Sequence, residues 1–360
     1  MRILAWPAFS NKNDNPYQYN LYQEMLADSD VVECRSGPRS ILRLMGQRFD
    51  IFHVHWIDKV LWRDSRRQIA LGCLLLSALL LRLRLGGTSV VWTVHDPQPH
   101  RIVANERSTR FPVNLLWRAY HAIMMRSIGG LIFLSATHRD MIYAAYPRLA
   151  RLPYCVVPHP SYIGSYPDTV DGPTARQALS LDPDARCVVF FGKIRPYKGV
   201  EALITAFRGL RDEDARLLIA GEPDSPDYLA ALVALAEGDP RIRFEARFIA
   251  GEDIQLFMRA ANVVVLPFAK ATNSGSVALS LSFRCRTAVP DIAVFREVQE
   301  VVGPEWLHLY EGGLTPDKLA GILGWSEEAP IPPGSPLAEL SWSRAAARTR
   351  AFFDELRQTH

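Results

Sequence analysis

Short apolar runs rich in valine, isoleucine and phenylalanine alternate with amphipathic stretches along almost the whole of this 360-residue chain, and that alternation leaves few folds open. A strand apolar on both sides of its pleat is buried on both faces, and a helix between two such strands is the crossover that a parallel sheet requires. In the first half the pattern predicts strands at Ile3–Ala5, Val31–Cys34, Asp50–Trp56, Ser89–Val94, Gly130–Leu134 and Cys155–Val157. Helices are predicted at Tyr19–Leu26, Ser40–Phe49, Arg66–Leu85 and Val113–Ser127, with another from Ala136. Ser161–Pro173, rich in Pro, Gly, Ser and Asp, reads as a linker. A second series of strands follows at Val188–Phe191, Arg216–Ala220, Ile242–Glu245, Val263–Pro267 and Thr287–Val289. Glu327–Pro336 is a proline-rich connector, and Trp342–Leu356 a final amphipathic helix. The expected architecture is α/β: two Rossmann-like parallel-sheet domains facing a central cleft, at 1–165 and 174–340, with 341–360 a helix packing back on the first domain.

Composition narrows the class. The chain is 48% hydrophobic and 22% charged, as ordinary globular proteins are, with no repeat or low-complexity tract. Its five cysteines are widely spaced without a C-x-x-C, which argues against a disulfide framework or a zinc site and fits a reducing cytoplasm. MRILAWPAF reads as a first strand rather than a signal peptide. The net charge of +3 hides an asymmetry: residues 1–165 hold 20 Lys and Arg against 11 Asp and Glu, the remainder 21 against 27. A basic half suits an anionic membrane surface or an anionic substrate; no basic-aromatic signature for nucleic acid is present.

Two segments of the second half share one chemistry. In VVFFGKIRPYKGVEALITAF, a strand ends at Gly192, Lys193, Arg195 and Lys198 crowd the turn, and a helix starts after Gly199. Unpaired N–H groups, the helix dipole and the cations all attract an anion there. Ala271, Thr272, Asn273, Ser274, Gly275 and Ser276 lie between the strand VVVLPF and the helix Val277–Phe283, where small residues allow close backbone approach. Either segment alone could be a solvated turn or a helix cap. Together, at carboxyl ends of strands in one domain, they suit a nucleotide diphosphate.

The helix near residue 70 has an uninterrupted apolar run of about thirteen residues, short of the roughly twenty that span a bilayer. Arg63, Arg66 and Arg67 precede it and Arg82 and Arg84 follow. It reads either as a buried core helix with arginine-solvated ends or as a helix lying at a membrane interface.

GKIRPYKGVEALI, AGEPDSP and LPFAKATNSGSVALSLSFRCRTAVP resemble the donor domain of GT-B nucleotide-sugar glycosyltransferases. With NPYQYNLY, DIFHVHW, TVHDPQPH and EVVGPEWLHLYEGG, the resemblance extends over nearly the whole chain to the bacterial β-mannosyltransferases of exopolysaccharide assembly. It implies a GT-B fold and transfer of a sugar, mannose from GDP-mannose, onto a lipid-linked oligosaccharide at the cytoplasmic face of the inner membrane, without a metal. Arg195 and Lys198 would neutralise the donor diphosphate, and Asn273, Ser274, Gly275 and Ser276 would hydrogen-bond it, stabilising the leaving group. Glu222 would line the sugar or nucleoside pocket. The large retaining GT-B family carries two glutamates eight positions apart; the matching positions here are Thr272 and Ser280, a departure that favours the inverting group.

Inverting transfer needs a base for the acceptor hydroxyl. Asp96 and His95, at the end of the strand SVVWTV, are the first candidates, as base or as base with its orienting partner, with His100 five residues beyond His95. His55 and Trp56 end another strand, and Asn15 and Tyr17 lie in the loop after the first; all four are expected at the acceptor side of the cleft. Three alternatives stay open: a retaining GT-B transferase, a GT-B-like sugar-nucleotide epimerase, and a non-catalytic glycan- or nucleotide-sugar-binding partner.

Overall fold

The computed structural model describes residues 1–13, 15–35, 37–63, 65–95, 113–268, 270–271, 275–328 and 334–358. The chain divides into two compact units, Met1–Pro158 with Trp342–His360, and His159–Ser341.

In the first unit, β1 (Arg2–Trp6), β2 (Asp30–Glu33), β3 (Ile51–Val54), β4 (Ser89–Thr93), β5 (Ile128–Phe133) and β6 (Tyr154–Val156) form an all-parallel sheet in the order β2-β1-β3-β4-β5-β6. Its helices are α1 (Tyr17–Met25), α2 (Pro38–Met45), α3 (Arg66–Leu85), α4 (Val113–Ser127) and α5 (Ala136–Ala145). The strand order reverses between β1 and β3, so the crevice of this sheet lies beyond their carboxyl ends. One face carries Leu4, Phe52, Val54, Val90 and Trp92, which form a continuous core with Ile69, Cys73, Leu76, Leu79 and Leu83 of α3 and Trp117 and Tyr120 of α4.

Helix α3 has the predicted limits and its N-cap at Ser65, whose hydroxyl accepts from the Gln68 N–H at 3.3 Å. At 20 residues it is long and apolar enough to cross a membrane, yet its Ile69–Leu83 stripe belongs to the core. Leu71, Leu74, Leu81 and Leu85 form an exposed apolar stripe on the same helix.

The second unit repeats the plan. After α6 (Gly172–Ala178) come β7 (Arg186–Phe191), α7 (Val200–Arg208), β8 (Ala215–Ala220), α8 (Pro226–Ala236), β9 (Ile242–Glu245), α9 (Ile254–Ala260), β10 (Val263–Val265), α10 (Gly275–Ser282), β11 (Thr287–Pro290), α11 (Ala293–Val302), β12 (Leu307–Tyr310) and α12 (Pro316–Glu327). The parallel order is β12-β11-β10-β7-β8-β9, with the reversal between β7 and β10. β12 was not among the predicted strands: LHLY is too short, with an interrupting histidine, to stand out as an apolar run.

The second unit begins at His159, ahead of the predicted linker. Far from hanging free, that segment is strapped to this unit: the Ser161 N–H donates to the Leu340 carbonyl at 2.7 Å, the Tyr162 N–H to Ser282 Oγ at 2.7 Å, and the Thr169 N–H to Gln255 Oε1 at 2.9 Å. The last helix, α13 (Trp342–Gln358), packs on α1 in the first unit, with Phe353 edge-on to His53 at 5.0 Å and Trp342 edge-on to Tyr17 at 5.2 Å.

Candidate functional site

The reversal between β7 and β10 puts the loops that leave these two strands next to one another. The first turns at Gly192, whose φ of +127° a side chain rarely adopts. A Cβ on Gly192 would lie 2.9 Å from Ser276 Oγ and 3.1 Å from Lys198 Nζ, so the hydroxyl of one predicted cradle and the ammonium of the other converge on the same glycine. Gly199, at φ +69°, closes the first loop; a Cβ there would stand 2.2 Å from the Pro267 carbonyl oxygen at the end of the β10 segment. Only glycine lets these two loops pack this closely.

Lys198 is half-buried with its ammonium 4.7 Å from the centre of the Phe268 ring. Among the described residues no carboxylate pairs with it. Burial first, then the charges of Arg195 and Lys193, push its pKa down to about 8. A cation so placed gains the most from an arriving anion. Arg195 lies 3.5 Å from Asp224, and Lys193 lies 3.9 Å from the half-exposed Glu222 carboxylate, both loops being tied by the Ile194 N–H donating to the Glu222 carbonyl at 2.8 Å. Glu222 therefore borders the Lys193–Lys198 loop from β8.

Gly275 and Ser276 open α10, while Asn273 and Ser274 lie outside the described residues, as does Thr272. Ser280 is fully buried; its hydroxyl is spent on Thr287 Oγ1 at 2.8 Å and on the Val277 carbonyl at 3.0 Å. His159 and Tyr162 escaped the sequence reading. A Cβ on Gly275 would lie 3.5 Å from the Tyr162 hydroxyl and 3.8 Å from His159 Nε2, so both side chains overlook the start of α10. The signal available was the histidine and tyrosine of HPSY just after a strand, masked there by the linker composition that follows.

In the first unit, residues two apart on adjacent strands put His53, His55, Thr93 and His95 on the face opposite the apolar core. Tyr22 of α1 covers them. Its hydroxyl lies 2.8 Å from both His53 Nδ1 and His55 Nε2; His53 Nε2 lies 2.7 Å from Thr93 Oγ1, and His55 Nδ1 lies 3.0 Å from His95 Nε2. Trp56 stacks on the His95 ring at 4.9 Å and Tyr17 meets it edge-on at 5.1 Å. Burial pushes the His53 pKa down to about 3 and that of His55 well below its usual range, and raises the Tyr22 phenol well above its own, so the three stay neutral.

The structure corrects one expectation here. His55 is fully buried with both ring nitrogens engaged, so it supports His95 instead of facing an acceptor. Tyr17 is likewise buried, its N–H held by Asn15 Oδ1 at 3.0 Å. His95, 8% exposed, is the outermost member of the cluster. Asp96 and His100 lie outside the described residues.

Comparison with known proteins agrees with this geometry. Residues 185–306 match the family model "Glycosyl transferases group 1", a span that contains both converging loops. The GDP-mannose:glycolipid 4-beta-D-mannosyltransferase of Xanthomonas campestris pv. campestris is 28% identical over 93% of this chain and 86% of its own. A D-inositol 3-phosphate glycosyltransferase of Mycobacterium sp. is 35% identical over 34% of this chain and 28% of its own. Sucrose-phosphate synthase from Thermosynechococcus elongatus shares the fold at a TM-score of 0.67 over the whole of both chains, with 14% identity. Anabaena HepE, solved with UDP-glucose, does so at 0.63 over 100% of this chain and 99% of its own, with 15% identity. With two parallel six-stranded sheets and a helix returning to the first, the chain has the GT-B fold, and its match to group 1 over residues 185–306 makes it a glycosyltransferase.

Proposed function

We propose that the protein transfers mannose from GDP-mannose to a lipid-linked oligosaccharide, with inversion to a β-linkage. The observation that carries the donor half is the convergence of Lys198 Nζ and Ser276 Oγ on Gly192 at the strand-order reversal of the second sheet. Lys198, Arg195 and the start of α10 stabilise the departing nucleotide diphosphate as its charge develops. The choice of mannose and of a glycolipid acceptor draws on the similarity to the Xanthomonas enzyme over most of both chains. Inversion draws on the missing glutamate pair: Ser280 is buried and turned to Thr287, and Thr272 has no carboxylate. The acceptor proton then goes to a base in the first unit, for which Asp96 and His95 are the candidates.

The exposed stripe of α3, Leu71, Leu74, Leu81 and Leu85, with Arg67 and Arg84 beside it and a first half carrying the excess of basic residues, suits the surface of an anionic bilayer. Leu74→Glu with Leu81→Glu should abolish co-sedimentation with phosphatidylglycerol vesicles while donor binding persists; unchanged sedimentation would remove α3 as the contact.

Purified protein should release GDP from GDP-mannose only when a lipid-linked acceptor is supplied, and Lys198→Ala should lose most of that turnover. An α-linked product by NMR would refute inversion. Product from donor alone would indicate an epimerase, and donor binding without turnover over a full acceptor panel a binding protein.

A further inference from the structure

The loops that leave β7 and β8 run side by side, and their backbones hold each other beyond the end of the sheet. The Gly192 N–H donates to the Ala220 carbonyl at 3.0 Å, the Ile194 N–H to the Glu222 carbonyl at 2.8 Å, and the Asp224 N–H to the Ile194 carbonyl at 2.9 Å. A Cβ on Gly221 would lie 2.0 Å from the Gly192 carbonyl oxygen, so the two chains are in direct contact. Ile194 is fully buried. Its neighbours Lys193 and Arg195 therefore point the other way, where Glu222 and Asp224 meet them.

Those two ion pairs are loose. Arg195 Nε is 3.5 Å from Asp224 Oδ1 and Lys193 Nζ is 3.9 Å from Glu222 Oε2, whereas in the same unit Arg186 meets Asp212 at 2.7 Å and Glu327 at 2.8 Å. Strong charge-assisted hydrogen bonds are the shorter kind. The loop does not need the pairs for its shape, since backbone hydrogen bonds already fix it. What they change is the charge: Lys193, Arg195 and Lys198 bring three positive charges to the loop, and Glu222 and Asp224 set two negative ones beside them. Asp224 is also well placed to let go. It is exposed and directly precedes Ser225, the N-cap of α8, where the helix dipole favours a carboxylate whether or not Arg195 is beside it.

We infer that Asp224 is a displaceable counter-ion of the donor site: the diphosphate takes Arg195 from it on entry, and Asp224 takes Arg195 back as the nucleoside diphosphate leaves. This rests on the proposed transfer. When the bond from the sugar to the terminal phosphate oxygen breaks, both bonding electrons stay on that oxygen, so the product carries more negative charge than the donor did. Cations with no competing carboxylate would hold that product harder. Asp224 limits the grip of Arg195 and so sets how tightly the spent nucleotide is kept.

The test is calorimetric titration of the full chain, wild type and Asp224→Asn, with GDP and with GDP-mannose at neutral pH and low salt, with transfer measured on the same preparations. Asp224→Asn keeps the size of the side chain and removes its charge. Exposed ion pairs are worth little, so the Kd for GDP should fall by about two- to fivefold, with a smaller gain for GDP-mannose, and the gain should fade as salt is raised. A GDP affinity left unchanged or weakened by Asp224→Asn would overturn the inference, the weaker binding marking Asp224 as a brace of the loop. In an Arg195→Gln background Asp224→Asn should do nothing; a gain as large as in the wild type would also overturn it. Absent transfer with the Asp224→Asn gain intact would count against the proposed function alone.

Discussion

If Lys198 meets the donor diphosphate, nucleotide binding takes up a proton at alkaline pH. The free protein holds this ammonium at a pKa of about 8, depressed by burial and by Arg195 and Lys193. An arriving pyrophosphate raises it again, so binding requires the charged form. Well below pH 8 the lysine is already protonated and affinity is flat. At pH 8 about half a proton is taken up per donor bound, and between about pH 7 and pH 9 affinity falls roughly tenfold, about 1.4 kcal/mol. GDP-mannose is the suitable ligand, because its pyrophosphate has no ionisation in this range. Calorimetry in two buffers of different ionisation heat counts the protons directly. Lys198→Arg supplies the control, since a guanidinium stays charged throughout: its proton uptake should vanish and its affinity should stay level to pH 9. Equal proton uptake in wild type and Lys198→Arg would refute the assignment of Lys198 to the diphosphate.

Gly192→Ala should weaken GDP-mannose at least tenfold, because its Cβ would press on Ser276 Oγ and Lys198 Nζ, and should also cost about 1–3 kcal/mol for the strained φ; thermal-shift titration separates the two effects, and undiminished affinity would mean that the donor does not use this space. Burial keeps His53 and His55 neutral when folded, while the unfolded chain protonates them near pH 6.5, so their stabilisation is complete above that pH and is lost as pH falls below it, toward about 3 for His53. Urea unfolding of the first unit should therefore weaken by about 1.4 kcal/mol per pH unit for each histidine below pH 6, and His53→Gln should shed one histidine's share of that slope. Gln18 of α1 is fully buried, and neither of its amide atoms has a hydrogen-bond partner among the described residues. Gln18→Met should raise the urea midpoint, by up to about 1–3 kcal/mol in stability; a fall would show that the amide is satisfied in solution.

Periodicity made most of the fold legible. Strands buried on both faces leave apolar runs that need no tertiary information, and the apolar run of α3 with its flanking arginines was enough to place it at about Arg66 to Leu85. Composition served less well. Pro, Gly and Ser in 161–173 report irregular backbone, and cannot report that Tyr162, Thr169 and Asp168 are bound to the second unit by Ser282, Gln255 and Arg259. The two loops were legible as a pair because each carries its cations or small residues within a short stretch; that they meet at Gly192 follows from the strand order, which local pattern does not encode. The histidine cluster lay further out of reach. Alternation alone puts His53 with His55 and Thr93 with His95, but the phenol that joins them comes from residue 22, and Tyr17 and Tyr22 of α1 are among the rings that cover His55.

The first unit is built from two stretches, 1–158 and 342–360, separated by the whole of the second unit, and this has a consequence for how the molecule is made. A ribosome finishes 159–341 before it reaches 342–358, so the unit begun at 1–158 is completed only after the second sheet. Until Phe353 emerges, His53 lacks one of the rings that enclose it, and a nascent chain stalled after Ser341 would carry a finished second unit and an unfinished first. Fragments intended for expression should follow the same logic: 159–341 is one continuous stretch, whereas stopping near residue 341 strips the first unit of the helix that covers His53.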